Sequence, residues 1–214
     1  ANIRTLVNAK AVPNIGIEFV EPTYMNIVID TIITYDSSIL TTSVYDLETM
    51  VKSTVASYIN TNLSVFNGRL RYSNLVSAID RTDSSILNNL TEISLKYKYT
   101  PTLQQSTAIK FTFNNVIDNI NKQYSVKTSL FYVPGFTSGV WIEDDSIGNL
   151  HLFYTDNGVK KYAGYKVGTV DYQTGDIYIA SIFITSVDGA TIDFVSTPAE
   201  TDIVSKNRNI IRVD

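Results

Sequence analysis

Residues 24–35 read YMNIVIDTIITY and residues 91–99 read TEISLKYKY, and these two stretches decide the fold. Both alternate apolar and polar side chains at period two, which predicts strands with one buried face. In the second stretch the apolar side is formed by Ile93, Leu95, Tyr97 and Tyr99. Two amphipathic helices are predicted between the strands, and four elements with one apolar face each bury those faces against one another.

The predicted long helix runs from about Val44 to Leu63. Its apolar residues recur at three and four positions, as is typical of a core-facing helix: Leu47, Met50, Val51, Thr54, Val55, Tyr58 and Ile59. Ser43 is its predicted N-cap, with Asp46 three residues later in a variant of the capping box. A short helix is predicted from Asn74 to Arg81, with Ser73 as its cap.

Short, evenly spaced strands follow residue 107 and are separated by turn residues, a pattern typical of a β-sandwich or barrel. Asn157-Gly158 predicts a two-residue hairpin turn, because both residues accept a positive φ. Gln173-Thr174-Gly175 predicts a second hairpin. In this half of the sequence, the segment around Val116 to Asn121 is the one candidate for a helix.

These patterns predict an α+β protein of two domains. Residues 1–101 are expected to form a β-α-α-β domain with two helices on a small sheet. Residues 102–214 are expected to form an all-β antiparallel domain, after a polar, Pro-containing linker. The first residues, ANIRTLVNAKAVPNIG, lack the layout of a signal peptide and begin in mid-pattern, so we expect a fragment of a longer protein.

Composition excludes several classes of function. A net charge of −4 without a Lys/Arg cluster argues against nucleic acid as the main partner, because phosphate binding needs a basic face. The chain has no Cys, and no apolar run approaches the roughly 18 residues of a membrane-spanning helix. A charged share of 18% and 14 Tyr residues favour a surface that packs against partners, although Tyr also favours strands.

Three groups of residues are candidates for a chemical or ligand-binding site, and none matches a known arrangement. His151 is the single His and lies within a strand pattern, without a nucleophile elbow nearby. Glu143-Asp144-Asp145 offers oxygen ligands for calcium, but its spacing differs from that of an EF-hand loop. An aromatic sugar platform is a further possibility, drawn from Tyr97, Tyr99, Tyr132, Phe136 and Trp141. The residues therefore single out no catalytic, cofactor or metal site, although two carboxylates that meet in a cleft would still allow glycoside hydrolysis.

The stretch from Glu21 to Lys96 resembles the baseplate J-like wedge family of contractile-tailed phages. The resemblance is carried by Pro22-Thr23-Tyr24 before an alternating strand, by the amphipathic helix, and by the residues that open the short helix: Ser73, Leu75, Ala78, Ile79 and Asp80. The second half resembles the C-terminal region of the larger wedge subunit through GNLHLFYTDNG, VGTVDYQTGDIYI and RNIIRVD.

This resemblance implies a structural virion protein of the tail baseplate, assembled in the host cytoplasm. It implies homodimers that join neighbouring wedges into a ring around the tail hub, and contacts with other wedge proteins. It implies no catalytic residues, no cofactor, and neither nucleic acid nor membrane as a partner. The alternative from another class is a carbohydrate-binding or adhesin module on a β-sandwich, and a hydrolase using carboxylates is a third hypothesis.

Two patches are predicted as protein interfaces. The first is the terminal strand with Ile210, Ile211 and Val213, which is expected to pair with the sheet edge of another subunit. The second is the loop region in which Tyr132, Phe136 and Trp141 cluster around Pro134-Gly135.

Overall fold

The computed structural model describes residues 24–65, 67–121, 124–204 and 210–213. The two helices of this part are α1 (Val44–Asn62) and α2 (Tyr72–Asp80). Its strands are β1 (Tyr24–Tyr35), β2 (Arg69–Leu70), β3 (Ile86–Tyr99), β4 (Ser106–Thr112), β5 (Val126–Thr128), β6 (Phe131–Tyr132), β7 (Val140–Asp144), β8 (Asn149–Asp156), β9 (Val159–Asp171), β10 (Asp176–Phe183), β11 (Ser186–Val187), β12 (Ile192–Ser196), β13 (Ile203–Val204) and β14 (Ile210–Val213).

One mixed sheet of twelve strands dominates the molecule. Its main path runs β14-β1-β3-β12-β5-β7-β8-β9-β10-β4, while β6 joins β7 and β11 joins β6. The strand β14 lies parallel to β1, whereas β3 and β12 are antiparallel neighbours. The predicted fold class is therefore wrong. The strands at 24–35 and 86–99 do not form a small sheet of their own, because β12 and β14 from the far end of the chain extend it.

The strand β1 has the predicted bounds and the predicted buried face. Met25 and Ile27 are buried, and Ile29 and Ile33 on the same side pack partly against the core. We call this side the inner face. The helices α1 and α2 cover it, and Leu47 of α1 and Leu75 of α2 belong to the same core cluster as Ile33 of β1. The opposite side of the same sheet is called the outer face below.

The start of α1 follows the predicted capping rule. The Ser43 hydroxyl accepts a hydrogen bond from the Asp46 amide at 3.1 Å and donates to the Asp46 carboxylate at 2.7 Å. The predicted cap of the second helix is wrong, since α2 begins at Tyr72 and Arg71 is its N-cap without a side-chain hydrogen bond. Ser73 therefore lies inside the first turn.

At the other end the sheet curls over and covers its own inner face. The Tyr97 ring on β3 stacks on the Phe111 ring of β4 with centroids 3.9 Å apart. Phe111 also contacts Phe194 of β12, at 4.9 Å between centroids. The first and last strands of the curl thus meet through aromatic side chains, and the main core lies inside it.

The hairpin predictions in this half are confirmed. Asn157 and Gly158 both adopt positive φ, at 49° and 79°, and connect β8 to β9. Gly175, also at positive φ, closes the turn between β9 and β10. Residues 116–121 do not form a helix; they form a loop in which Ile117 bridges to Pro198.

Two sequence predictions have no structural outcome. Residues 1–23, with Glu21 and the Pro22-Thr23 part of the motif, lie outside the described residues. The division into residues 1–101 and 102–214 as separate folding units stays a prediction. The core cluster that contains Ile27 also contains Ile142, so side chains from both segments share one core.

Candidate protein interface

The outer face of the sheet is a continuous surface from β1 to β9. Directly paired residues point to the same side of a sheet. Such pairs link Asn26 to Lys96, Lys96 to Val195, Val195 to Lys127 and Lys127 to Glu143. Glu143 in turn pairs with His151. Trp141, two residues before Glu143, lies on the same side and pairs with Phe153, which pairs with Tyr162.

An apolar pair lies on the outer face where helices cover the inner one. Ile32 of β1 is 69% exposed and pairs directly with Leu90 of β3, which is 58% exposed. Next to them Asp30 pairs directly with Glu92, so two carboxylates face each other across the strands. We call these four residues the apolar–acidic patch.

The chemistry of this patch favours a partner. Like charges directly opposite one another destabilise a strand pair. No ion pair joins Asp30 or Glu92 to another residue in the described ranges. A partner surface with an apolar side chain beside a Lys or Arg would cover Ile32 and Leu90 and also neutralise the two carboxylates.

A second outer-face cluster lies at the curled end and is built from aromatic rings. Trp141 of β7 stacks near Phe153 of β8 with centroids 6.3 Å apart, and Phe153 contacts Tyr162 of β9 at 5.8 Å. The Trp141 indole N–H donates to the Glu143 carboxylate at 2.8 Å. We call Trp141, Phe153 and Tyr162 the aromatic cluster.

The charged side chains beside the aromatic cluster form ion pairs with one another. The carboxylate of Glu143 is almost fully buried, and it forms ion pairs with the ammonium groups of Lys160 and Lys127. The Lys160 ammonium also lies over the rings of Phe153 and Tyr124, at 4.2 and 4.3 Å from their centroids. The Glu143 carboxylate thus has charged partners, whereas Asp30 and Glu92 form no ion pair within the described ranges.

His151 lies between two polar partners on the same face. Its Nε2 is 3.2 Å from the Asp145 carboxylate and its Nδ1 is 3.2 Å from the Tyr162 hydroxyl. Burial opposes ionisation of Asp145, but hydrogen bonds from Asn149, from the Ile147 amide and from His151 outweigh it and lower the pKa of Asp145 to about 2. No Ser or Thr hydroxyl among the described contacts of His151 completes a nucleophilic triad.

The acidic run at 143–145 does not converge on one point. Glu143 points to the outer face. Asp144 points to the inner face, where it accepts hydrogen bonds from the Tyr172 hydroxyl at 2.6 Å and the Val126 amide at 2.7 Å. Burial raises the pKa of Tyr172, and the neighbouring Asp144 raises it further. Within the described ranges no group of three or more His, Cys, Asp or Glu side chains is arranged to hold a metal ion.

The terminal strand β14 pairs with β1 of its own chain. Ile211 is fully buried against the core, while Ile210 and Val213 are half-buried. The strand is nevertheless an edge of the sheet, because β1 is its single neighbour in the order of described strands. Its role in pairing with another subunit stays a prediction, and its backbone rather than the Ile211 side chain would make that contact.

The predicted aromatic patch is divided between the two faces. Trp141 belongs to the aromatic cluster on the outer face, whereas Phe136 contacts Tyr154 at 4.9 Å and packs on the core. Tyr132 is half-buried on β6. Tyr97 and Tyr99 of the predicted sugar platform lie on the inner face of β3 and pack against the core. The described ring contacts do not bring these five residues into one platform.

Sequence reasoning missed the apolar–acidic patch, although a signal was present. Ile32 and Leu90 are apolar residues at positions where the alternation predicts polar ones. Such exceptions on an otherwise polar face mark candidate contact residues.

A comparison with known families bears directly on this region. Residues 23–98 match the family model described as "Baseplate structural protein gp6, C-terminal domain III". The match supports a phage baseplate protein. A structural role in the virion tail baseplate and contact with other baseplate components follow from it. The baseplate match covers α1, α2, β1 and nearly all of β3, and it includes the complete apolar–acidic patch.

No curated protein matches the chain significantly. In the part of the chain that the structure describes, neither helix is both long and apolar enough to cross a membrane.

Proposed function

We propose that this chain is a baseplate wedge component of a contractile phage tail, of the J-like type, that works through subunit contacts. Its copies form homodimers, and these join wedges into a ring around the tail hub. The wedges bind other wedge proteins and assemble in the host cytoplasm before the tail is complete. The chain acts by presenting surfaces and performs no chemistry.

The observation that carries this proposal is the apolar–acidic patch inside the baseplate-matched segment. Exposed apolar side chains that lie together on a sheet face are characteristic of interaction sites. Their position beside two carboxylates that form no ion pair with any described residue favours a specific partner over non-specific association, because the partner must supply positive charge as well as apolar area.

The interface residues predicted from sequence remain part of this proposal. Trp141 on the outer face and Tyr132 on β6 are retained as candidate contacts, together with Phe136 at the adjoining loop. Ile210 and Val213 flank the buried Ile211 on the edge strand β14, where the backbone of another subunit can pair. These residues lie outside the apolar–acidic patch. Substitutions at each location therefore measure separately how much each contributes to subunit association.

Sedimentation velocity over a concentration series tests the proposal. We expect a dimer or larger species whose fraction rises with concentration and falls with added salt, because the patch uses charge as well as apolar area. A chain that stays monomeric up to several hundred micromolar would contradict self-association. Mixing with the other baseplate proteins of the same phage then tests the contacts with wedge partners.

A further inference from the structure

A groove lies between β1 and α1, on the inner face and away from the outer-face patch. Its volume is about 350 Å³, and it opens to solvent at one side. The strand supplies every second residue and the helix supplies one stripe of its surface. The lining residues used below are Thr31, Ile33 and Tyr35 of β1 and Val44, Leu47 and Val51 of α1.

Within the described ranges, one edge of β1 lacks a neighbouring strand along this groove. The strand pairs with β3 from Asn26 to Tyr35, but it pairs with β14 only from Tyr24 to Ile27. From Val28 to Tyr35 the second edge therefore has no strand partner among the described residues. Such an edge presents backbone N–H and C=O groups that an additional strand can pair with.

The edge and the groove together specify the shape of the occupant. An extended strand satisfies the open backbone groups, and its alternate side chains enter the groove with the same period of two as Thr31, Ile33 and Tyr35. The strand β14 already uses this edge in the parallel direction. An added strand would continue the row that β14 begins, beyond Val213.

The lining determines the chemistry of the occupant. Val44 is 54% exposed at the mouth of the groove, and Leu47 and Val51 form its base. The charged groups at the rim, Glu48 and Lys52, form an ion pair with each other at 2.6 Å. The groove therefore offers apolar contact without net charge, which favours uncharged apolar side chains at alternate positions.

We propose that the β1–α1 groove binds an extended, uncharged segment of a partner protein by adding it as a strand to the open edge of β1. This inference rests on the proposed function, in which the partner is another baseplate subunit. It assigns that partner an extended strand with apolar residues at every second position.

A labelled nonapeptide tests this inference on the full chain. The probe has Lys at both ends and alternating Ile and Thr between them, and its control carries Pro at the central position. We expect the probe to bind and to slow hydrogen exchange of amides in 28–35, while the Pro peptide binds at least tenfold more weakly. Absence of binding, or protection confined to another strand such as β4, would overturn the proposal.

Two neighbouring substitutions provide a matched control. Val44→Glu places a charge at the mouth of the groove and should weaken probe binding at least fivefold. Tyr45→Glu changes the next residue, which is 75% exposed and does not line the groove, and should leave binding within twofold. Equal affinities for both variants would overturn the proposal. Ile33→Thr serves as a second groove variant if Val44→Glu alters the melting temperature.

The alternative occupants give different results. If residues 28–35 become protected with rising concentration of the chain alone, a second copy takes the edge and the proposed occupant is wrong. If they are protected at every concentration and deletion of residues 1–20 exposes them, the chain covers its own edge, which also contradicts the proposal. If the chain self-associates in sedimentation velocity but does not bind the probe, this inference is rejected and the proposed function is left intact.

Discussion

The apolar inner face of the sheet is covered in different ways at its two ends. At one end α1 and α2 cover the inner face of β1 and β3, and at the other end the sheet curls until Phe111 of β4 meets Tyr97 of β3. We call these the helix-covered end and the curled end. The curled end neutralises its outer-face charges internally through Glu143 and Lys160, whereas the helix-covered end leaves Asp30 and Glu92 unpaired among the described residues.

We base our proposal for where partners bind on this difference. A sheet that curls over itself needs no further cover, and its buried carboxylates Glu143 and Asp144 both have partners within the chain. The sheet at the helix-covered end has an exposed outer face and a strand edge that no described strand pairs with from Val28 to Tyr35, and both features favour contacts with other chains. The family match falls on the helix-covered end, so the baseplate role and the open surfaces coincide.

The largest expected effect of a substitution is at Ile211, on the strand β14 that pairs with β1. Ile211 has 0% exposure and pairs with the buried Met25, so Ile211→Asp should cost about 3–5 kcal/mol by burying an unpaired charge. Urea denaturation followed by circular dichroism measures this cost. The exposed neighbour Arg212 is the control, and Arg212→Ser should cost less than about 1 kcal/mol. Equal costs for the two variants would contradict the placement of β14.

A smaller loss is expected from the buried carboxylate of the curled end. Asp144→Ala leaves the Tyr172 hydroxyl and the Val126 amide without their acceptor, which should cost about 2–3 kcal/mol. Asp156→Ala, at the exposed end of the β8–β9 hairpin, should change stability by no more than about 0.5 kcal/mol. The same denaturation experiment distinguishes them. A near-neutral Asp144→Ala would show that this network does not stabilise the curled end.

The pH dependence of stability tests Asp145 at the same end. Its folded pKa of about 2 is below its ordinary value of 3.8, so its contribution is present above about pH 4 and is lost as the pH falls towards 2. Because the carboxylate is partly exposed, we expect about 1 kcal/mol. Denaturation of the wild type and Asp145→Asn at pH 6 and pH 2.5 should show a difference that shrinks at the lower pH. A difference independent of pH would contradict the assignment.

The smallest effect is expected at the start of α1 in the helix-covered end. Ser43→Ala removes the acceptor for the Asp46 amide and should cost about 0.5–1 kcal/mol. Ser73→Ala removes no cap, since α2 begins at Tyr72, and should be within about 0.5 kcal/mol of the wild type. Thermal melting of both variants tests the contrast. An equal loss of stability in Ser73→Ala would contradict this contrast and favour Ser73 as the cap, as the sequence predicted.

Local features of this fold were predictable from sequence and distant pairings were not. The bounds of β1, the cap at Ser43 and the turn at Asn157-Gly158 each depend on residues close in the chain. The pairing of β3 with β12 joins residues about a hundred positions apart and leaves no local periodicity to read. The predicted α+β class failed at this point, because period-two patterns give a strand its face but not its neighbours.

The candidate interface was predictable in part for the same reason. Burial of Ile211 depends on its pairing with Met25, which the terminal sequence alone does not reveal. Exposure of Ile32 and Leu90 was readable as a break in alternation, but their position opposite each other depends on the register of β1 and β3. A site made from residues of two strands thus becomes visible only when that register is known.

The most direct test of the account compares self-association of Ile32→Ser/Leu90→Ser with that of Tyr178→Ser. Tyr178 is an exposed aromatic residue on β10 at the curled end. Sedimentation velocity should show at least tenfold weaker association for the double variant, an unchanged association for Tyr178→Ser, and wild-type circular dichroism for both. An association constant that is the same for the wild type and the double variant, or that falls only for Tyr178→Ser, would contradict the claim that the helix-covered end is the contact surface.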